Sequence, residues 1–239
     1  MSWAAHDLEP YAFQRHLGLK VAFVPLLVGS YAPDLATKWF VYGIHVGGIE
    51  LKADDPVRFH RGWPGFGFTH SLLFWLVIGL VLWKVFGSRL WGLSFVVGQW
   101  AHALTDTGDT VGTMLLFPWT FHFHVGAWAY AGQTGRVTDA AAYFSGLGGA
   151  WDAVWLVYGL FSWRILTRRY FDEYIYAADR FWPTLGRVVP RTALLTLYRA
   201  AFFYGSCRWL AWTLWAHVLH HYPYDLTWGG PHWVPAAHP

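Results

Sequence analysis

The chain is poor in charge and in cysteine. Only 13% of its 239 residues are charged, whereas soluble domains average about 25%. Cys207 is the single cysteine, which excludes an intramolecular disulfide. The formal net charge of +3 is small and the basic residues are dispersed, so a nucleic-acid partner is excluded. The first twenty residues lack the order of regions typical of a cleavable signal peptide, and we expect this segment to be retained.

The sequence also lacks the short motifs of several large enzyme classes. It has no G-x-S-x-G nucleophile elbow, no P-loop and no dinucleotide-binding fingerprint. Ser71 stands directly before an apolar run, where capping of a helix by Ser71 or Thr69 is a better assignment than nucleophilic attack. Any chemistry is therefore expected from histidine and acidic side chains.

Apolar and aromatic residues are abundant. They make up 55% and 21% of the chain, and aromatic rings are enriched where a membrane meets water. Several apolar windows could each supply most of a membrane-crossing helix, which needs about 20 residues. We therefore predict an all-α fold, a polytopic integral membrane helical bundle with about five (four to seven) transmembrane helices in the lipid bilayer. The windows are 17–33, 71–86, 89–105, 147–166 and 192–219.

Basic residues predict the orientation of this bundle, because cytoplasmic loops near helix ends carry an excess of Lys and Arg. Arg15, Lys20, Lys84, Arg89 and the arginines within 164–199 fall on one side of the predicted spans. The N-terminus is then cytoplasmic. The histidine and aspartate residues at the other ends of the windows are then on the external face.

We predict that residues 1–239 form a single transmembrane domain. Segment 35–51 contains lysine and glycine and is predicted as an interfacial or re-entrant helix. Residues 121–239 supply additional helices and a cytoplasmic connection at 170–191. This connection mixes charged and aromatic residues, which is typical of an amphipathic surface segment or an ordinary inter-helix loop.

Histidines and acids concentrate near the ends of the apolar windows. His102 and Asp106 are four residues apart, so a helix would place both side chains on one face. Imidazole and carboxylate are the ligands expected for zinc or another divalent first-row ion. Ionisable side chains in an apolar setting mark a functional site or an internal pair. The group predicted to meet on the same face is Asp34, His60, His70, His102, Asp106 and Asp109.

The order of these motifs resembles the inner-membrane "metal-dependent hydrolase" family of bacteria and archaea. The similarity covers residues 15–120, about the first half of the chain. It rests on GSYAPDL at 29–35, HRG at 60–62, THSL at 69–72, AHALTD at 101–106, Gly112 and Pro118. The resemblance implies a bacterial or archaeal inner-membrane protein with a metal site and hydrolytic activity.

The resemblance also implies roles for individual residues. His60, His70, His102 and Asp106 are the candidate ligands of a divalent ion, with zinc or manganese favoured. Asp34 is either a further ligand or the general base, and Arg61 binds a negative charge of the substrate. The substrate would be an ester or phosphoester of a lipid-like molecule. The resemblance also places Thr69 near the ligands. Independently of the resemblance, Asp109 is expected on the same face, and the alternation of His122 and His124 would place both on one face of an extended segment as candidate extra ligands.

Two departures from the family pattern support a different function. The family usually has a second acid two residues after the first, where this chain has Ala36. The segment WPGFGF also separates the HRG and THS motifs, which usually adjoin through one residue. The alternative is a non-catalytic transmembrane subunit that keeps the hydrolase scaffold and packs with other membrane-protein subunits in an energy-converting or transport complex.

Overall fold

The computed structural model describes residues 4–17, 20–52, 67–119, 121–128, 136–224, 226 and 232–235, and these residues are mostly helical. The first five helices are α1 (Ala4–Leu17), α2 (Phe23–Leu35), α3 (Lys38–Tyr42), α4 (Leu72–Phe86) and α5 (Arg89–Thr105). They are followed by α6 (Arg136–Ser145), α7 (Leu147–Phe161), α8 (Arg168–Tyr170), α9 (Phe181–Leu185) and α10 (Arg191–Leu214). Helices α8 and α10 continue as the π-helices Phe171–Tyr176 and Trp215–Leu219.

Short elements complete the fold. Single 3-10 turns are formed by Gly67–His70, Asp106–Gly108 and Trp163–Leu166. The strands are β1 (Ile44–Val46), β2 (Ile49–Leu51), β3 (Phe121–His124) and β4 (His232–Pro235). Strand β1 pairs antiparallel with β2, and β3 pairs antiparallel with β4. The chain is thus not purely α-helical.

The predicted transmembrane bundle is not what the structure shows. Helices α2, α4, α5, α7 and α10 lie at the predicted apolar windows, but in the described ranges no helix is both long and apolar enough to cross a membrane. The first four contain 13, 15, 17 and 15 residues, fewer than the about 20 that a crossing needs. Helix α10 has 24 residues but includes Arg191, Arg199 and Arg208. The prediction of a polytopic bundle with about five transmembrane helices is therefore wrong.

Two other segments also differ from the prediction. Segment 35–51 contains the end of α2, the five-residue helix α3 and the β1–β2 hairpin, and not one interfacial or re-entrant helix. Within 170–191, the side chains of Phe171, Ile175 and Trp182 are buried in the main apolar core with Tyr11 and Tyr198. This connection therefore packs against the helices as part of the core.

Helices α2 and α5 run parallel and touch backbone to backbone. A Cβ atom at Gly98 would lie 2.1 Å from the Leu26 carbonyl oxygen, and one at Gly29 would lie 2.2 Å from that of Phe95. Only glycine fits at both positions, because any side chain would force the two helices apart. Helix α4 packs on another side of α5. The C-terminal ends of α2 and α5 consequently lie side by side.

Helix α1 is held at its N-terminus by a carboxylate from α7. Asp152 accepts hydrogen bonds from the backbone N–H groups of Ala4 at 2.8 Å and Ala5 at 3.1 Å. These amides have no partner within the helix, and a carboxylate also interacts favourably with the positive end of the helix dipole. Further along α1, the buried Asp7 forms an ion pair with Arg208 of α10 at 2.8 Å. Both contacts fix α1 against helices from the C-terminal half.

Asp179 holds the N-terminal ends of α2 and α5 together. Its carboxylate accepts hydrogen bonds from the Val24 amide at 2.8 Å and the Trp91 indole at 3.1 Å. Burial raises the pKa of Asp179, while hydrogen bonds from Phe181, Val24 and Trp91 oppose that rise. The segment between α8 and α9 is thereby attached to the starts of α2 and α5.

The Asp152 contact provides a stability prediction. Replacing Asp152 with Ala leaves two buried amides of α1 without their acceptor, so we expect a loss of about 1.5–3 kcal/mol in the free energy of unfolding. Asp152→Asn keeps one acceptor oxygen and should lose less. The measurement is denaturant unfolding followed by circular dichroism.

Asp172→Ala is the matched control, since Asp172 pairs with the exposed side chains of Arg168 and Arg191. Exposed ion pairs contribute at most about 1 kcal/mol. Equal losses for Asp152→Ala and Asp172→Ala would contradict the anchoring role of Asp152.

Candidate metal centre

Four titratable side chains meet where α2 and α5 end. Asp34 lies in the last turn of α2, and His70 ends the 3-10 turn that precedes α4. His102 lies in the last turn of α5, and Asp106 directly follows that helix. Since α2 and α5 are parallel, Asp34 and Asp106 become neighbours although they are 72 positions apart in the sequence. The structure thus brings together four of the predicted site residues.

The ligand atoms of these four residues all lie within 4.8 Å of one another. Asp106 Oδ2 is 3.4 Å from His70 Nε2 and 3.5 Å from His102 Nε2, and His102 Nε2 is 3.8 Å from Asp34 Oδ1. All four residues are buried. Two imidazole nitrogens and two carboxylate oxygens form a donor set that suits zinc and other divalent first-row ions. The cluster could therefore hold a metal ion.

The orientation of the His102 ring supports this interpretation. Its Nδ1 lies 2.6 Å from the Ser30 carbonyl oxygen, which can only accept, so Nδ1 carries the proton. The unprotonated Nε2 is buried, makes no hydrogen bond and faces the carboxylates of Asp34 and Asp106. A nitrogen lone pair directed at carboxylate oxygens is unfavourable unless a cation lies between them. A backbone carbonyl that fixes the ring is also the usual support of a ligating histidine.

Asp34 is shared between the cluster and Lys38. Its Oδ2 forms an ion pair with the Lys38 ammonium, whereas Oδ1 is the atom nearest to His102. Ala36, the position where the family that the sequence resembles has its second acid, is exposed while Asp34 is buried. Ala36 is not one of the four clustered residues.

His6 belongs to the site and was missed in the sequence analysis. It is 3% exposed, its Nε2 lies 3.2 Å from Asp106 Oδ1, and its ring stacks on His102 with centroids 3.8 Å apart. Glu9 lies beside its other nitrogen at 3.9 Å. The available signal was AAHDLEPYAF, which places three ionisable residues in an apolar segment. Spacing could not reveal the contact, because it joins residues 100 positions apart.

The two stacked histidines differ in protonation. Burial opposes a charge on His6, but the carboxylates of Asp106 and Glu9 outweigh this effect and raise the pKa of His6 to about 9. Burial lowers the pKa of His102, and the neighbouring His6 charge lowers it further. At neutral pH, His6 is thus an imidazolium and His102 is neutral, the form in which histidine binds metal.

The THS motif both supports His70 and starts α4. The Thr69 hydroxyl lies 3.1 Å from His70 Nδ1, and the Thr69 carbonyl accepts a hydrogen bond from the Trp75 indole at 2.7 Å. Ser71 caps the helix, since its Oγ accepts from the Phe74 amide at 3.4 Å. The predicted helix-capping role of this motif is confirmed for Ser71, and the Thr69 hydroxyl contacts His70 of the cluster.

The remaining described candidates lie in the loop that follows α5. Asp109 is buried, and its Oδ1 accepts hydrogen bonds from the amides of Val111 at 2.9 Å and Gly112 at 2.6 Å. His122 and His124 lie in β3, and His122 Nδ1 is 3.2 Å from the Val111 carbonyl oxygen. None of these three is among the four clustered residues. Asp109 shapes the loop beside the centre.

His60 and Arg61 lie outside the residues that the structure describes. The proposed roles of His60 as a ligand and of Arg61 as a substrate-binding group therefore remain predictions. The segment WPGFGF, which lengthens the loop, lies outside them too except for Gly67 and Phe68.

Comparison of the chain with known proteins identifies its family. No curated protein and no solved structure matches the chain. The model of one family, described as YdjM inner membrane protein, matches residues 3–171. That range is more than half of the chain and contains α1 with His6 and all four clustered residues. The description names a membrane location and no reaction, which agrees with the expected inner-membrane family. The chain therefore belongs to the YdjM inner membrane protein family.

Proposed function

We propose that the protein is a metal-dependent hydrolase in which His70, His102 and Asp106 hold a divalent ion, zinc or manganese. The observation that carries the proposal is the buried His102 Nε2, which makes no hydrogen bond and faces two carboxylates. Three protein ligands with one position left open is the arrangement typical of catalytic zinc sites. A divalent ion in such a site supplies Lewis acidity and lowers the pKa of a water molecule.

The surrounding residues orient the proposed ligands. The Ser30 carbonyl fixes the His102 ring so that Nε2 faces the centre. His6 occupies Oδ1 of Asp106, which leaves Oδ2 directed at His70 and His102. Ligands held in this way need little reorganisation when an ion binds.

Asp34 is the proposed general base or a fourth ligand. Lys38 engages Oδ2 and leaves Oδ1 on the side of the centre. Either role uses the oxygen that faces the centre. For Arg61, the proposed role is binding of a negative charge on the substrate. Because the family is one of inner-membrane proteins, we propose an ester or phosphoester of a lipid-like molecule as the substrate.

The competing function is a non-catalytic subunit of a larger membrane complex. One of its supports was the absent acid at Ala36, but Ala36 is exposed at the end of α2. That absence removes no side chain from the cluster of four. The donor set of the proposed hydrolase is present without it, so we favour the enzyme.

The first prediction concerns metal content. Purified protein supplied with zinc or manganese should bind about one ion per chain. His102→Ala removes a ligand and should abolish this binding while the circular dichroism spectrum stays helical. His45→Ala is the control, because His45 is an exposed histidine of β1. Elemental analysis of the three proteins decides the question, and stoichiometric metal in His102→Ala would overturn the assignment.

The second prediction concerns His6. His6→Ala removes the partner of Asp106 Oδ1, and loss of such a supporting contact weakens metal affinity about 10–100-fold. His6→Gln can still donate to Asp106 and should recover part of that affinity. His16→Ala is the control on the same helix, since His16 is exposed and contacts Tyr158. Unchanged affinity in a zinc titration of His6→Ala would contradict the positioning role.

The third prediction tests the reaction. The metal-loaded protein should hydrolyse at least one of p-nitrophenyl phosphate, bis(p-nitrophenyl) phosphate and p-nitrophenyl acetate, and chelation should stop the reaction. Asp34→Asn should lower kcat by about 10²–10⁴ with metal retained if Asp34 is the base. It should lower metal affinity if Asp34 is a ligand.

The control for Asp34→Asn is Asp172→Asn, which changes a partly exposed carboxylate far from the centre in sequence. A metal-loaded protein that hydrolyses none of the three compounds and co-purifies with stoichiometric partner subunits would favour the non-catalytic alternative.

A further inference from the structure

An unpaired amide, that of Gln99, is buried in α5. Gln99 is 0% exposed. Among the residues that the structure describes, neither its Nε2 donor nor its Oε1 acceptor has a hydrogen-bond partner. The large majority of buried side-chain polar atoms are hydrogen-bonded, because an unpaired one loses its interactions with water and gains none in return. An amide that is unpaired at both ends therefore indicates a binding partner.

Gln99 lies on the face of α5 that carries two of the candidate metal ligands. Gln99, His102 and Asp106 are spaced i, i+3 and i+7, so they follow one side of the helix. Gln99 and His102 are about 4.5 Å apart along the helix axis. Because helical side chains lean toward the N-terminus, those of His102 and Asp106 extend back over the turn that carries Gln99. The amide therefore occupies the same space between the helices, one turn before the ligands.

The surroundings of Gln99 on the side away from the centre are apolar. One turn earlier in α5, the Phe95 ring packs on the Trp75 ring of α4, with centroids 5.5 Å apart. On the side of α2, a Cβ atom at Gly29 would lie 3.2 Å from the Gln99 backbone nitrogen. Packing thus closes the interior toward the start of α5, and a polar partner of the amide would lie on the side that carries the ligands.

The chemistry of the amide narrows the class of partner. Nε2 needs an acceptor and Oε1 needs a donor. A phosphate monoester offers both, since it has several acceptor oxygens and its second pKa near 6 keeps a protonated oxygen accessible. The acyl group of a carboxylic ester offers acceptors alone. The two unpaired ends of Gln99 therefore match a phosphoryl group better than an acyl group.

We propose that Gln99 binds the phosphoryl group of a phosphate monoester at the centre, with Nε2 donating to one oxygen and Oε1 accepting from a protonated one. The inference rests on the hydrolase proposal and adds a substrate-binding residue and a substrate class to it. Donors directed at an oxygen that gains negative charge typically contribute about 10²–10³ to kcat. Gln99 is not one of the four clustered residues, so its replacement should leave metal binding unchanged.

Removing the amide tests whether it is unpaired in the free protein. Gln99→Met keeps an unbranched side chain of similar length and replaces the amide by an apolar group. Without metal and phosphate, this change should raise Tm by about 2–12 °C, because it removes a buried donor and acceptor that have no partners. The measurement is thermal unfolding of the purified full chain followed by circular dichroism. A lower Tm would overturn the proposal, since it would show that the amide stabilises the fold.

Ser94→Ala is the matched control, because Ser94 is equally buried in α5 but is paired. Its hydroxyl donates to the Leu90 carbonyl at 2.7 Å and accepts from the Ala22 amide at 2.7 Å. Its removal leaves the Ala22 amide without an acceptor, so Tm should fall. The two replacements in one helix should thus change Tm in opposite directions.

Phosphate binding tests the role of the amide directly. Inorganic phosphate is released when water converts a phosphate monoester to an alcohol, so it is a suitable probe of the site. The zinc-loaded protein should bind phosphate, and Gln99→Met should weaken this binding about 10–100-fold with an unchanged zinc content. Ser94→Ala should bind phosphate like the unmodified protein. Isothermal titration calorimetry and elemental analysis measure these quantities, and kcat for p-nitrophenyl phosphate should fall about 10²–10³-fold in Gln99→Met.

The outcomes separate this inference from the hydrolase proposal. If Gln99→Met binds phosphate as tightly as the unmodified protein, with zinc in both, the role of Gln99 is overturned and the hydrolase proposal stands. The same conclusion follows if the zinc-loaded protein hydrolyses p-nitrophenyl acetate or the diester but not the monoester. Loss of zinc from Gln99→Met would overturn the role in substrate binding, since the ligands would then depend on Gln99. An unmodified protein that takes up no zinc and hydrolyses none of the compounds would overturn both proposals.

Discussion

The fold around the candidate site depends on one buried carboxylate, that of Asp106. Its Oδ1 lies 3.2 Å from His6, and its Oδ2 lies 3.4 Å from His70 and 3.5 Å from His102. Burying an ionised group is costly unless it is paired. Asp106 therefore requires that α1, the turn before α4 and α5 all be in place, and each supplies one imidazole. The Asp106 carboxylate is therefore both a candidate metal ligand and the group against which these three elements pack.

The positions of these elements are set by contacts outside the site. Backbone contact at Gly29 and Gly98 aligns α2 with α5, which brings Asp34 beside His102. Asp152 holds the start of α1, and thereby the part of the helix that carries His6. A ligand set assembled in this way is preorganised, because packed helix ends and the short 3-10 turns next to them place its side chains. Rigid placement is what a preorganised metal site requires.

Local patterns in the sequence predicted part of this arrangement. The spacing of His102 and Asp106 follows from the helical repeat, and the Ser71 cap follows from the apolar run behind it. The membrane-crossing helices were predicted from apolar composition and are wrong, since apolar composition does not specify how long a helix is. Capping residues set that length. Ser71 begins α4, Gly87 ends it in a left-handed conformation, and Ser88 begins α5.

The sequence by itself determined the helical character of the apolar windows, the i, i+4 pair at the end of α5 and the membership of an inner-membrane family. Only the tertiary structure decided that His6 joins the centre, that Ala36 is exposed, and that residues within 170–191 enter the core. The physical reason is the range of the interactions. Capping and helical spacing act over a few residues, whereas the contacts of Asp106 and Asp152 join segments 100 and 148 residues apart, which no local pattern encodes.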